Sequence, residues 1–137
     1  MLVLWANPRS TWTAFEWMMR KRSDFTRVHK PFNEAPYYGS DRRSQRDADV
    51  ADTEGMSRSA VWSSLAKAEA MNPVFVEDFA SSVEHELTEK RLGGITSTFL
   101  LRDPRRVIRG LTKHRPDCSR DEIGFTVLHR LSTGLRP

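Results

Sequence analysis

The first twenty residues constrain the fold more than any other part of the chain. The run LVLW at residues 2–5 has the length and apolar character of a buried strand. From Ser10 onward, apolar residues recur at spacings of one, three and four, which predicts a helix over about residues 10–22. A strand that ends at a helix N-terminus directs free backbone N–H groups and the positive end of the helix dipole into the connecting turn. This turn is therefore a candidate anion-binding site.

The rest of the chain continues the alternation of strand and helix patterns. Short extended or apolar runs predict strands at residues 25–28, 73–79 and 96–101. Helical patterns lie between and after these runs, and their starts are marked by a capping residue or an early proline: residues 57–71, Ser81 to Gly94, the segment after Asp103 and the segment after Ser119. Strands separated by helices predict a three-layer α/β sandwich, in which a parallel sheet is flanked by helices. Ligands of such sheets bind at the carboxyl ends of the strands.

Two segments are predicted to lack regular structure. Prolines and a glycine mark residues 29–39 as a loop. Residues 40–56 are nearly all charged or small, so we expect them to be solvated and mobile. The length of 137 residues fits a single domain over residues 1–137.

Composition narrows the classes of partner and compartment. The net charge of +4 favours an anionic partner, but it does not choose between nucleic acid, a nucleotide and a sulfate or phosphate ester, and a basic chain can also simply be soluble. The single cysteine, Cys118, excludes an internal disulfide and a cysteine cluster for zinc, which suits a reducing cytoplasm. The sequence has no apolar stretch of membrane-spanning length and no signal-peptide pattern at its N-terminus. We therefore expect a cytoplasmic protein with no membrane partner.

The turn NPRSTWT at residues 7–13 is the first candidate site. It places one cation, Arg9, beside the hydroxyls of Ser10, Thr11 and Thr13 at a predicted helix start. It lacks the glycines and the Gly-Lys-Ser/Thr ending of the nucleoside-triphosphate P-loop, although it has the same cation, hydroxyls and helix N-terminus. An ordinary N-cap serine beside a surface arginine is the alternative interpretation.

The segment LLRDPRRVIRGL at residues 100–111 is the second candidate site. Arg102 follows a predicted strand, and three more arginines follow in the first turns of the next helix. An arginine suits a phosphate because its guanidinium donates two parallel hydrogen bonds. The alternative is a solvated basic helix face that Asp103 caps. Because both motifs lie at strand-to-helix junctions of one predicted sheet, we expect them to act together.

These motifs, LWANPRSTWTAFEW and LLRDPRRVIRGL, resemble the sulfotransferases that use 3′-phosphoadenosine-5′-phosphosulfate (PAPS), and most of all their bacterial, aminotransferase-associated-like branch. The resemblance extends through VHKPFNEAPYYG and PVFVEDFA. It implies a P-loop, nucleoside-kinase-like α/β sandwich that binds PAPS and transfers its sulfuryl group to a small-molecule hydroxyl or amine without a metal. Carried over by position, it assigns the 3′-phosphate to Arg102 and the 5′-phosphosulfate to Arg9, Ser10 and Thr13. We expect Thr11 and Trp12 of the same turn to contact the cofactor as well.

The chain also departs from the family pattern. The family usually has a serine where this chain has Gly110, an acid where it has Lys30, and often a lysine where it has Glu77. The reciprocal charges of Lys30 and Glu77 predict an ion pair of about 4 Å or less. Relatives also continue further at the C-terminus. These departures leave open a different function, that of a catalytically degenerate binding module or partner subunit.

Several roles and partners follow from these expectations. His29 and Glu34 are the candidate bases for the acceptor proton, although His29 could equally be an exposed loop histidine, and Arg9 would stabilise charge on the leaving phosphate. Asp78 is expected to cap a helix or form an ion pair. A nucleic-acid-binding function has the net charge in its favour but no recognised motif.

The C-terminal segment predicts an interaction surface. If the fold is short at this end, apolar side chains that a further segment covers in relatives are expected to be exposed, with candidates at Ile123, Phe125, Leu128 and Leu131. Exposed apolar patches usually mark contacts. We therefore expect a homodimer or a complex with another chain through the last helix.

Overall fold

A single parallel sheet forms the centre of the structure. The computed structural model describes residues 1–40, 49–86 and 88–134. The strands are β1 (Leu2–Ala6), β2 (Thr26–His29), β3 (Val74–Phe79) and β4 (Thr96–Leu100), and they lie in the order β2-β3-β1-β4 with every pairing parallel. The predicted α/β architecture, a parallel sheet flanked by helices, is confirmed.

Helices connect the strands and cover the sheet. They are α1 (Trp12–Arg20), α2 (Ala35–Tyr38), α3 (Arg58–Met71), α4 (Glu89–Leu92), α5 (Pro104–Thr112), α6 (Arg120–Ile123) and α7 (Phe125–Ser132), and a 3-10 helix spans Ala80–Glu86. Within the described ranges, no helix combines the length and apolar character needed to cross a membrane.

Helices α3, α5 and α6 each start at a capping side chain, and the caps of α5 and α6 are predicted from the sequence. The hydroxyl of Ser57 accepts a hydrogen bond from the backbone N–H of Ala60 (3.2 Å), and both hydrogen bonds of the capping box form between Ser119 and Glu122. Asp103 caps α5 by accepting from the N–H of Arg105 (2.8 Å). Each of these side chains satisfies a backbone donor that has no partner inside its helix.

Two segments differ from the prediction. The helix expected from Ser81 to Gly94 is wrong, because the chain forms the 3-10 helix and then the short α4. The three-residue period of a 3-10 helix places Ala80 and Val83 on one side, and both are fully buried. In the loop expected over residues 29–39, the residues Ala35–Tyr38 form a short helix with a proline in its first turn.

The two faces of the sheet are covered by different elements. Alternate strand residues, among them Trp5 and Val76, pack against α3, the 3-10 helix and α7 in the larger core cluster. On the opposite face, Leu4 and Phe75 pack against Met19 of α1. The connection after β1, which leads to α1, and the connection after β3, which leads to the 3-10 helix, therefore lie on opposite faces of the sheet. This arrangement sets the geometry of the candidate site.

The expectation of an exposed last helix is wrong. Leu128 and Leu131 are only 2% and 5% exposed, and Ile123 and Phe125 are half-buried. The physical reason is that α7 lies on the larger core cluster beside Val83 and covers this face of the sheet itself. The predicted contact with another chain therefore has no apolar surface of this kind to support it.

The segment that we expected to be mobile, residues 40–56, is described only in part. Residues 41–48 lie outside the described residues. At its far end, the backbone N–H of Thr53 donates to the carbonyl of Tyr38 (2.8 Å), so this end of the segment is attached to α2.

Candidate functional site

The carboxyl edge of the sheet has a crevice between β1 and β3. The chain leaving β1 turns to α1 on one face, whereas the chain leaving β3 turns to the 3-10 helix on the other. Two adjacent parallel strands whose connections separate in this way form a topological switch point, where open α/β sheets bind their ligands.

The turn between β1 and α1 is tightly folded. Ser10 is buried, and its hydroxyl donates to the carbonyl of Asn7 (2.6 Å). Arg9 and Thr11 both adopt the left-handed backbone conformation, with φ of 65°. The hydroxyl of Thr11 bonds to the carbonyl of Ser10, and no side chain caps α1. The first N–H groups of α1 are thus left without a side-chain acceptor at the edge where ligands are expected.

The two arginine motifs meet at this turn. Arg102, which follows β4, donates from its guanidinium to the carbonyl of Arg9 (2.6 Å). The guanidinium of Arg9 lies 3.4 Å from Nε2 of His114. Gly110 of α5 faces the same side chain, since a Cβ at that position would lie 3.5 Å from the Cβ of Arg9. Residues about ninety positions apart therefore form one basic patch.

Lys30 occupies the crevice itself. This crevice is too narrow to admit a water molecule, and it is lined by residues from β1, α1, β3 and the end of β2: Ala6, Trp12, Lys30, Glu77, Asp78 and Phe79. The ammonium of Lys30 lies 3.6 Å from the centre of the Trp12 ring and 4.5 Å from that of Phe79. Burial lowers the pKa of Lys30, and the nearby Glu77 opposes this shift.

The predicted ion pair between Lys30 and Glu77 is wrong. The ammonium packs on aromatic rings, and no carboxylate of the described residues lies within ion-pair distance of it. The register explains this result, because the residue of β2 that pairs with Glu77 is His29. Lys30 contributes only its backbone N–H, which donates to the carbonyl of Glu77 (2.8 Å).

A buried polar cluster therefore centres on Glu77 and His29. Nδ1 of His29 lies 2.6 Å from Oε1 of Glu77 and 3.5 Å from Oε1 of Glu16. Glu77 is only 2% exposed, and burial, with a further contribution from Glu16, raises its pKa to about 7 against the opposing effect of Lys30. Burial lowers the pKa of His29, which favours a neutral imidazole at neutral pH.

The same cluster has the geometry of a metal site but not its charge balance. One ligand atom each from Glu16, His29 and Glu77 lies within 4.8 Å of the other two. However, Glu16 already forms ion pairs with Arg20 (3.0 Å) and with Arg27. A divalent cation would have to displace these guanidinium groups, so the cluster is better suited to holding a proton than a metal.

The remaining acids at this edge have different surroundings. Asp78 is buried and accepts hydrogen bonds from the backbone N–H groups of Phe32 and Phe79, both at 2.7 Å. Burial raises its pKa to about 7, against the effect of these two bonds. Asp78 therefore fixes the loop after β2, rather than forming the expected ion pair or helix cap. Glu34 is exposed at the N-cap of α2, and within the described part of the chain its side chain forms no hydrogen bond or ion pair.

A larger groove lies elsewhere. A groove of about 510 Å³ opens at the amino edge of the sheet, where Leu2, Val74 and Thr96 begin their strands. Its one charged side chain, Glu69, pairs with the N-terminal ammonium. Volume favours this groove, but the switch point, the arginines and the titratable groups all lie at the carboxyl edge. We therefore treat the carboxyl edge as the candidate site.

Sequence reasoning missed the partners of His29. Glu16 lies on the apolar face of α1, three residues before Met19, and Glu77 interrupts the apolar run of β3. An acid at an otherwise apolar position was the available signal in both cases, because buried carboxylates need partners. Of the predicted site residues, the structure brings Trp12 and His29 together, with ring centres 5.3 Å apart, and separately joins Arg9 to Arg102.

Comparisons of the chain with protein-family models, with curated proteins and with solved structures find no match.

Proposed function

We propose that this protein binds PAPS, or its desulfonated form adenosine 3′,5′-bisphosphate, at the carboxyl edge of the sheet and transfers the sulfuryl group to a small-molecule hydroxyl or amine in the cytoplasm. The observation that carries the proposal is the hydrogen bond from Arg102 to the carbonyl of Arg9. It supports one composite anion site built from both motifs, at the switch point of a parallel sheet.

In this proposal the uncapped start of α1 receives the 5′-phosphosulfate. The backbone N–H groups of residues 9–13, the Arg9 guanidinium and the hydroxyl of the exposed Thr13 would contact its oxygens. The hydroxyl of Thr11 would join them by leaving the carbonyl of Ser10, to which it now donates. Ser10 would instead shape the turn, since its buried hydroxyl already donates to Asn7. Arg102 would contact the 3′-phosphate while it holds the turn in place.

The chemistry needs a base and a stabilised leaving group. As the acceptor oxygen or nitrogen bonds to sulfur, the bond from sulfur to the phosphate oxygen breaks, and adenosine 3′,5′-bisphosphate leaves with the bonding electron pair. His29, neutral and beside Trp12, would accept the acceptor proton. Arg9 would stabilise the charge that develops on the leaving phosphate. Glu34 is the weaker candidate base, because no contact fixes its side chain among the described residues.

A second candidate function is binding without turnover. Gly110 supplies no hydroxyl beside Arg9, and the Lys30 ammonium is held on aromatic rings where the resemblance expects an acid. These two observations favour a degenerate sulfotransferase-like subunit that keeps the nucleotide site. Such a protein would bind adenosine 3′,5′-bisphosphate but would not consume PAPS.

Calorimetric titration with adenosine 3′,5′-bisphosphate tests the nucleotide site. We expect one site per chain, with AMP, which lacks the 3′-phosphate, binding far more weakly. Arg102→Met should weaken binding by about 10-fold to 100-fold, because a hydrogen bond to a charged group contributes ~1.5–3 kcal/mol. Arg22→Met is the matched control, since Arg22 is exposed and pairs with Asp24.

The other results of this titration separate the rival functions. Absence of binding by the unmodified protein would refute the proposal. Salt-sensitive binding that grows with oligonucleotide length would favour a nucleic-acid function instead. If the nucleotide binds, consumption of PAPS in the presence of acceptors distinguishes the enzyme from the degenerate subunit.

A further inference from the structure

Nδ1 of His29 and Oε1 of Glu77 are in close contact. The two residues are register partners on β3 and β2, and Nδ1 lies 2.6 Å from Oε1, although the ring N–H direction is not aligned with this oxygen. The Glu77 side chain is only 3% exposed, whereas that of His29 is 42% exposed. Nδ1 is therefore the ring nitrogen beside the buried acid, while the ring as a whole is partly open to solvent.

Glu77 has no better partner than this ring. Neither of its carboxylate oxygens forms an aligned hydrogen bond to any described residue, although both are inaccessible to water. A carboxylate only accepts hydrogen bonds, so a proton on Nδ1 is the donor within its reach. If Nδ1 were unprotonated, its lone pair would face the carboxylate at a distance where the two repel.

Glu16 cannot take the same role. Its Oε1 is 3.5 Å from Nδ1, and the same carboxylate pairs with Arg20 and Arg27. These two cations, together with Lys30, favour the ionised form of Glu77, although burial and Glu16 outweigh them and raise its pKa to about 7. Glu77 is thus the group that faces Nδ1 directly.

We propose that Glu77 is a positioning residue, whose buried carboxylate holds His29 in the tautomer that carries its proton on Nδ1 and leaves Nε2 free to accept one. The use of Nε2 as the base in sulfuryl transfer rests on the proposed function, but the tautomer itself does not. A protonated Glu77 would instead donate to Nδ1 and favour the opposite tautomer.

Long-range ¹H–¹⁵N correlation spectra of the histidine rings test this directly. They are recorded on the whole chain at pH 8, where a histidine with a lowered pKa is neutral. We expect His29 to show a protonated Nδ1 and an unprotonated Nε2. In Glu77→Ala and Glu77→Met, neither of which leaves an oxygen to accept from Nδ1, the preference should be lost and the Nε2-protonated tautomer should appear. The exposed His129 serves as an internal reference within each spectrum.

Controls separate this effect from a general change in the fold. Glu84→Met makes the same chemical change as Glu77→Met at an acid that pairs with Arg130, and it should leave the His29 tautomer unchanged. The indole N–H of Trp5, which donates to Ser97 (3.0 Å) in the core, reports whether each variant is folded. If Glu77→Ala does not fold, Glu77→Met, which is closer to glutamate in size, supplies the result.

The outcomes are decisive whether or not the protein binds the nucleotide. An Nε2-protonated His29 in the unmodified protein, or an Nδ1-protonated tautomer that survives in both Glu77 variants, would overturn the proposal. Failure of the proposed nucleotide site would appear as absent binding in every variant, with the tautomer result unaffected.

Discussion

Replacing Glu77 by glutamine should stabilise the protein at neutral and alkaline pH. Burial raises the pKa of Glu77 from 4.5 to about 7, so the folded state binds its proton more tightly than the unfolded state does. Of the charged groups around Glu77, Glu16 raises its pKa further, whereas Lys30, Arg27 and Arg20 lower it without cancelling the effect of burial. Above pH 7 the folded protein must hold an ionised carboxylate in a site that disfavours it.

The direction and size of the effect follow from proton linkage. Between pH 4.5 and 7 the folded state binds more protons than the unfolded state, so the free energy of unfolding falls as the pH rises. Each pH unit in this window corresponds to about 1.4 kcal/mol per group, which gives a full cost of about 3 kcal/mol for Glu77 at pH 8. Asp78 has a pKa raised to about 7 for the same reason and should add a second contribution of the same sign.

Urea denaturation at pH 5, 6, 7 and 8 measures how the free energy of unfolding depends on pH. The unmodified protein should lose stability from pH 5 to about pH 7 and level off towards pH 8. Glu77→Gln should lose it about half as steeply and exceed the unmodified protein at pH 8. Glu84→Gln, at a partly exposed ion pair, should follow the unmodified protein. A Glu77→Gln variant that is less stable at pH 8, or equally dependent on pH, would refute the reasoning.

The remaining predictions concern the loop after β2, Gly110 and the capping box of α6. Asp78→Ala leaves two backbone N–H groups without their acceptor and should cost about 2–4 kcal/mol in thermal unfolding; the exposed Asp24→Ala should change stability by less than about 0.5 kcal/mol, and equal effects would contradict this. Gly110→Ser should fold normally, since its Cβ would meet Arg9 at an ordinary 3.5 Å, and should stabilise α5 by about 0.5 kcal/mol; a collapse of stability by calorimetry would show that the space is not available. Ser119→Ala removes the capping box and should lower the free energy of unfolding by about 1 kcal/mol in urea denaturation. An unchanged free energy of unfolding would contradict this and would show that α6 is frayed in the folded protein.

Much of the fold could be predicted from local sequence. The strand β3 was identified because its apolar run is short and bounded by turn residues, and α5 because a proline follows a capping aspartate. The helix expected from Ser81 was wrong because its capping-box pattern competes with burial, and burial of Ala80 and Val83 favours a 3-10 turn. Tertiary packing determined the conformation of this segment, and a local sequence pattern carries no information about tertiary packing.

The candidate site was only partly predictable, because its contacts join distant segments. The arginine motifs could be found separately, and the parallel sheet placed them at one edge, but the bond from Arg102 to Arg9 depends on the order of the strands. The pairing of Lys30 with Glu77 failed by one residue, since register assigns Glu77 to His29. Lys30 follows the end of β2 with a left-handed backbone (φ 42°), and its ammonium reaches the same Trp12 ring that His29 contacts. Charge patterns alone could therefore not distinguish these partners.

The most direct test of the account is to map where adenosine 3′,5′-bisphosphate binds, by following backbone amide NMR signals during a titration. The account predicts that the largest shifts fall on residues 9–13 and on Arg102, and that they saturate together with a single affinity. The groove at the amino edge, lined by Leu2, Glu69 and Met71, should remain unchanged. Shifts confined to that groove, or no shifts at any nucleotide concentration, would contradict the claim that the carboxyl edge is a nucleotide site.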